Sequence, residues 1–456
     1  MAKEAAITTP RDAAPRPEAG GFRPVLSLRA LVMFGLAFVG MNAGYTMFGV
    51  GTVKSQGHFA LVYLLAMVAM TFTALSYGRM AMAFPEAGST YAYAAKALHP
   101  AAGYFAGWAM ILDYVFVPLI SVIIISVTMN KLAPQVPYSG WVILTATLIT
   151  SANLRGIEMT ARVTVVYNLL VGVSLVWFLS AAVRALLGGA GRGTLLSLEP
   201  FYHPATFSTE GLMAAAPVAI LSFIGFDGIT TLAEDSHNPQ RNVPRATVLV
   251  CLIAGTLFVL QTYLGQLVWP DYTTFSPVET AFSEIGGRIG GAALYLTISG
   301  FVVGQALMSA VTGQASASRL LYGMARGGLL PRRVFCYVHP KLNTPIYSIL
   351  LMGLIQLAVP LLINLAEAAD LINFGACFGF MVVNLSVIRH YFVKQKNRAG
   401  RGFLLNLVFP LLGFVICAYI WVKLPTMAFT TGLIWTLLGL AYLISSRALR
   451  RAQFGA

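Results

Sequence analysis

Apolar residues run along this chain in long stretches separated by short polar connections. Strict alternation is missing from those stretches, so they read as helices rather than as half-buried strands. An apolar run of about 20 residues crosses the hydrocarbon core of a bilayer as a helix. Lipid offers no partner to an unpaired backbone group, which favours helices further. Twelve spans follow: 28–53, 59–84, 103–129, 138–154, 160–187, 210–233, 245–268, 290–317, 345–364, 367–392, 403–423 and 428–446. Pro85, Pro239, Pro244, Pro331 and Pro340 fall between spans. With Gly327 and Gly328 they mark turns and short surface or re-entrant helices. The prediction is an all-α membrane protein.

Two spans differ from the rest. The first contains Phe34-Gly-Leu-Ala-Phe-Val-Gly-Met-Asn-Ala-Gly-Tyr-Thr-Met-Phe-Gly-Val-Gly51, with five glycines in one helix. The sixth contains Ser222-Phe-Ile-Gly-Phe-Asp-Gly-Ile-Thr-Thr-Leu-Ala-Glu-Asp235, where Gly225 and Gly228 flank an acid. Each opens a block of five spans, and the two blocks enter the membrane from opposite sides. Glycine-interrupted helices at matching positions of two halves point to an inverted-repeat transporter with broken helices. Tight packing of helices through small residues is the plainer explanation of either one alone.

Composition agrees. The chain is 57% hydrophobic and 10% charged, against about 25% charged in soluble domains. A net charge of +14 could suggest nucleic-acid binding, but the basic residues sit in short clusters between apolar runs. Loop charges of that kind set orientation instead. With the N-terminus in the cytoplasm, only Lys54, Lys131, Arg184, Arg192, Arg288 and Lys423 of the 30 basic residues lie outside. Both termini are therefore expected in the cytoplasm, in the cell inner membrane, with no nucleic-acid partner. Residues 1–24, rich in Ala, Pro and Arg, read as a disordered cytoplasmic tail, and 447–456 as a second tail. Cys251, Cys336, Cys377 and Cys417 show no metal or redox spacing.

Candidate chemistry is sparse. Of sixteen acids, only Asp113 and Asp227 lie well inside apolar spans. An acid at that depth is normally buried in the bundle and functional. Each can carry a proton or pair with a cation, or can hold a structural hydrogen bond to a broken helix. Asn42, Tyr45, Thr46, Tyr114 and Phe226 flank the same regions, and aromatic rings attract an organic ammonium, although ordinary packing also employs them. Glu234 and Asp235, paired with Arg79, Arg241 or Arg245, can form an inner gate; a solvated loop is the alternative. Ser309 and Thr312 share a helix face and can ligate Na⁺, a hard cation preferring oxygen, or can bond their own backbone. There is no nucleotide-binding loop, HExxH or GxSxG motif, and no soluble segment long enough to power a pump. Neither enzyme activity nor a cofactor is expected. The pseudo-symmetric halves favour a carrier over a channel.

Phe84-Pro-Glu-Ala-Gly-Ser-Thr-Tyr-Ala-Tyr93, Ser222–Asp235 and Arg241-Asn-Val-Pro-Arg-Ala246 resemble the amino acid–polyamine–organocation (APC) superfamily. Within it the bacterial putrescine importers are the nearest likeness, through Leu112-Asp-Tyr114, Ala317-Ser-Arg-Leu-Leu-Tyr-Gly-Met324, Tyr337-Val-His-Pro-Lys341, Leu371-Ile-Asn-Phe-Gly-Ala376 and Val383-Asn-Leu-Ser-Val387. The resemblance runs from about residue 25 to 446. It implies a LeuT-type fold with a ten-helix core over 25–392, in two inverted repeats of about 28–187 and 210–392. Two peripheral helices follow over 403–446. It further implies that substrate sits at mid-membrane between the broken first and sixth helices, and that an ion gradient drives uptake. The partners implied are a small organic amine or amino acid, a co-transported proton or Na⁺, and the lipid bilayer. One position departs from the importers. Where they carry an Asp in the first helix, alignment through Phe48-Gly49 and Gly57-His58 places Thr46. A dication asks for two anionic anchors, which Asp113 and Asp227 can supply; alternatively the substrate is a monoamine or a neutral amino acid. With so few membrane acids, proton-linked uptake is the expectation.

Overall fold

The computed structural model describes residues 22–363 and 365–445. The predicted tails lie outside the described residues, except for residues 22–24. There Phe22 is buried and packs edge-on against Tyr322, with ring centroids 4.8 Å apart.

The first span is two half-helices. Ser27 caps α1 (Leu28–Val39) by accepting from the Ala30 amide, as N-cap serines do. Helix α1 stops at Gly40, whose φ of +89° a residue with a Cβ rarely adopts. Helix α2 (Ala43–Lys54) restarts beyond Asn42. The chain returns through α3 (Phe59–Ala83), turns through the short α4 (Ser89–Ala97), and crosses again in α5 (Pro100–Leu132), α6 (Tyr138–Leu154) and α7 (Ile157–Leu187).

The sixth span is broken too. Helix α8 (Thr209–Leu221) ends, residues 222–225 unwind, and a 3₁₀ segment runs from Phe226 to Asp235. Gly225 sets the break at φ +113°. Thr230 and Thr231 then donate to the carbonyls of Asp227 and Gly228, each at 2.6 Å. Local hydroxyl bonds of that kind compete with regular α-helix. The first break and the 3₁₀ segment pack side by side.

The remaining elements are α9 (Pro239–Val268), α10 (Ala281–Arg326), α11 (Arg332–Phe335), α12 (Ile346–Ala358), α13 (Leu365–Val387), α14 (Arg401–Phe403), α15 (Phe409–Val422) and α16 (Thr426–Ser445). Two of them start earlier than expected. Pro239 occupies the first turn of α9 and Pro244 lies inside it, rather than both lying in a connection. A first-turn proline loses no helical hydrogen bond, which is why it fits there. Helix α10 begins at Ala281 rather than near 290, and it bends at Gly291.

Counting each broken pair once, ten described helices are long and apolar enough to cross a membrane. With α6 and the apolar helix Ile346–Leu361, both shorter, the expected twelve spans are all present. No strand occurs among the described residues, only one bridge between Leu26 and Ser236. The chain is a multi-pass, all-α membrane protein. Helix α1 begins at what we term the near face. The opposite, far face carries the loops around Lys54, residues 188–208 and Lys423.

Candidate functional site

A cavity of about 310 Å³ lies where the two breaks meet, on their far-face side. Val39, Ala43 and Thr46 wall it from the first span, Ser121 from α5, Ser222 and Ile224 from the second break. Gln305 and Ser309 of α10 complete it, and Phe38 forms part of the floor. The walls are mostly carbon, and the polar groups share one property. Thr46 donates its hydroxyl hydrogen to the Ala43 carbonyl at 2.9 Å, Ser121 to Val117 at 2.9 Å, Ser222 to Val218 at 3.3 Å and Ser309 to Phe38 at 2.7 Å, with Ser222 also hydrogen-bonded to the Tyr63 hydroxyl at 2.8 Å. With its hydrogen committed to backbone, a hydroxyl has only oxygen lone pairs left to offer. The cavity is therefore a field of acceptors, suited to a ligand that donates N–H.

Beneath the floor are the acids. Asp227 is fully buried and accepts from the Tyr114 hydroxyl at 2.5 Å through one oxygen; its other oxygen has no partner. Phe38 separates this pair from the cavity. Its ring lies 6.4 Å from that of Tyr114 and against Gly225, Gly228 and Gly313, where any added Cβ would collide with or crowd it. Those glycines are small because Phe38 fills the space. Asp113 is also fully buried, with neither oxygen hydrogen-bonded, and lies near enough to Asp227 to feel its charge. Neither acid forms part of the cavity wall.

The other predicted residues divide. Thr46 lines the cavity, but inside the regular helix α2, one turn beyond the unwound residues 40–42. Asn42 sits in the break and its amide donates to the Phe301 carbonyl at 3.0 Å, tying the first span to α10. Tyr45 points away into an aromatic cluster, stacked 4.4 Å from Phe282. Phe226 packs 5.3 Å from Phe380 and 5.7 Å from Tyr77, also away from the cavity. Ser309 bonds Phe38, and Gln305 donates to the Ala37 carbonyl at 2.9 Å and to Ser309 at 3.1 Å. Thr312 bonds the Met308 carbonyl of its own helix at 2.8 Å.

The two acids expected at an inner gate pair with other cations than those expected. Asp235 pairs with buried Arg319 at 2.5 Å, and Glu234 pairs with Arg326 at 2.6 Å while accepting the Ala87 amide at 2.8 Å. Arg79 instead bonds Asn406 at 2.6 Å and covers the Tyr391 ring, and Arg241 is exposed with no ion pair among the described residues. The reason is geometric: the 3₁₀ segment turns its acids toward the end of α10, not toward the start of α9. Beside these pairs, the amides of Val25 and Leu26 both donate to the Asp235 carbonyl at 2.8 Å.

Sequence reasoning passed over Phe38, Ser121, Ser222, Gln305, Arg319 and Arg326. Gln305 was within reach, as an amide four residues before Ser309 on one helix face. The two arginines lie seven residues apart, about two turns, on the stretch of α10 beyond residue 317, where the hydropathy boundary ended the span.

The sequence model for the amino acid permease family matches residues 31–446. The low-affinity putrescine importer PlaP of Escherichia coli (strain K12) is 35% identical over 92% of this chain and 93% of its own length. The methylthioribose transporter of Bacillus subtilis (strain 168) is 24% identical over 92% of this chain and 94% of its own. The branched-chain amino acid permease BcaP of the same organism is 26% identical over 92% and 93% respectively.

Proposed function

Because this chain belongs to the amino acid permease family, whose members are transporters and not enzymes, we propose that it imports putrescine or a related small organic amine, driven by an ion gradient. The observation that carries the reading is the acceptor-only cavity above a buried, half-paired carboxylate. An ammonium brings N–H donors to Thr46, Ser121, Ser222 and Ser309, and the charge of Asp227 lies one ring beneath. A substrate carboxylate would meet lone pairs in the same place. Similarity to the putrescine importer points the same way. The first ten spans, over 25–392, act as the transport core in two inverted repeats, and 403–446 is peripheral.

The near face is assigned to the cytoplasm, because most basic residues outside the spans lie there. The membrane is the bacterial inner membrane. The ion pairs of Glu234 and Asp235 then form the cytoplasmic gate, and the cavity lies on the side from which substrate arrives. The coupling ion is a proton. A Na⁺ ion beside Ser309 would compete for the Ala37 and Phe38 carbonyls with the hydrogen bonds they accept from Gln305 and Ser309. An ionised carboxylate buried without partners costs several kcal/mol. Asp113 is therefore the group assigned to carry a proton.

A second reading, an amino-acid permease or exchanger, draws support from one position. Thr46, rather than an acid, faces the cavity, so an uncharged end is tolerated there. Uptake of labelled putrescine into proteoliposomes, in competition with monoamines and with neutral amino acids, separates the two. Amines should compete and amino acids should not. Strong competition by amino acids together with weak competition by amines replaces the first reading with the second.

A further inference from the structure

Two of the basic residues expected on the far side, Lys54 at the end of α2 and Lys423 at the end of α15, meet in one pocket of about 590 Å³. Thr209, Glu210 and Asn373 share its walls. Neither lysine is ion-paired among the described residues, and Glu210 is unpaired as well. Below the pocket a trough of about 470 Å³ runs between α3, α8 and α15. Its walls are side chains such as Leu65, Phe72, Ala216, Ile220 and Ile416. Met213 and Tyr419 line both spaces, so pocket and trough are one continuous groove.

We propose that this groove is a binding site for an anionic glycerophospholipid, its phosphodiester between Lys54 and Lys423 and an acyl chain in the trough. The dimensions agree. From Thr209 to Ile220 helix α8 descends roughly 16 Å at its ordinary rise, and half a hydrocarbon core is about 15 Å. The charges agree as well. Two ammonium groups without an ion-pair partner among the described residues, Lys423 also lying 6.0 Å from the Tyr419 ring centroid, face one acid, leaving an excess positive charge at headgroup height above a wall that is almost entirely apolar. Thr209, Asn373 and Glu210 supply a donor and acceptors for headgroup hydroxyls. The site is on the outer wall of the bundle and does not rest on the substrate assigned to the central cavity.

Native mass spectrometry of the delipidated full-length protein tests the site. Phosphatidylglycerol, phosphatidylethanolamine and soluble sn-glycerol 3-phosphate are each added back. A basic side chain near anionic lipid is worth roughly a factor of five in binding. Wild type should therefore retain phosphatidylglycerol over phosphatidylethanolamine by about tenfold or more, and should hold glycerol 3-phosphate weakly. Lys54→Gln with Lys423→Gln should erase that preference, and each single change should erase part of it. Lys54→Arg with Lys423→Arg should keep it, as should Arg184→Gln, which removes an exposed far-face charge elsewhere. Ala216→Trp, which fills the trough, should lower retention of both lipids. A preference that survives the double glutamine change overturns the site. So does equal retention of the two lipids, glycerol 3-phosphate held as tightly as lipid, or a trough indifferent to Ala216→Trp.

Discussion

At the scale of single residues, the account turns on Asp227 and Thr46. Asp227 keeps one oxygen bonded to Tyr114 and one free, so it can receive a cation without first losing its support. Asp227→Asn preserves size and the Tyr114 contact but removes the charge. A hydrogen bond to a charged group is worth about 1.5–3 kcal/mol, so amine affinity should fall by roughly ten- to a hundredfold. Uptake kinetics give the affinity, and an unchanged melting temperature in detergent should accompany the loss. Thr46 faces the same cavity from the first span. Thr46→Asp should raise affinity for putrescine relative to a matched monoamine by about 1 kcal/mol or more where the new carboxylate is partly desolvated, and by less where water reaches it. If wild type already strongly prefers the diamine and Thr46→Asp leaves that ratio alone, the second anchor is Asp113. Both residues stood out in the sequence for simple reasons, one as an acid in an apolar span and the other as a departure from the importers. Phe38 gave no such signal. An aromatic ring in an apolar span is unremarkable until the glycines that receive it are seen to lie on two other helices.

At the scale of elements, the breaks and the gate carry distinct energetic signatures. A Cβ at Gly228 would sit 2.5 Å from the Phe38 ring and 2.9 Å from the Ser316 hydroxyl. Overpacking of that sort costs about 1–3 kcal/mol. Gly228→Ala should accordingly lower the melting temperature and slow uptake. Gly300, on the same bundle but with nothing within 4 Å of an added Cβ, is the contrast. Gly300→Ala should be neutral, or stabilising by up to about 1 kcal/mol through helix propensity. The gate behaves differently. Arg319→Met leaves Asp235 buried without its cation, which typically costs 3–5 kcal/mol. Removing both charges with Arg319→Met and Asp235→Leu should recover much of that stability. If the double variant is no more stable than Arg319→Met alone, Asp235 is not held by that pair. The positions of the breaks were legible because only glycine takes the backbone through φ near +100°. The partners across the gate were not, because the turn of a 3₁₀ segment decides which way Glu234 and Asp235 point, and hydropathy carries no information on that turn.

At the scale of the whole molecule, span number and all-α class follow from the length and hydropathy of the apolar runs, since a bilayer admits few alternatives. The boundaries that moved did so for local reasons: Pro239 is acceptable in a first helical turn, and α10 continues past the kink at Gly291. The candidate site was only half legible. Two buried acids stood out in the sequence, but the cavity lies above them and is walled by hydroxyls whose backbone bonds no sequence displays. The central claim is amine import coupled to protons, and the most direct test is the initial rate of putrescine uptake into proteoliposomes under an imposed inward proton gradient. External Na⁺ is replaced by choline at fixed pH. The account predicts a rate nearly unchanged by the replacement and abolished when the proton gradient is collapsed. A rate that falls sharply without Na⁺ and ignores the proton gradient would contradict it, and would return Ser309 and Thr312 to the role of cation ligands.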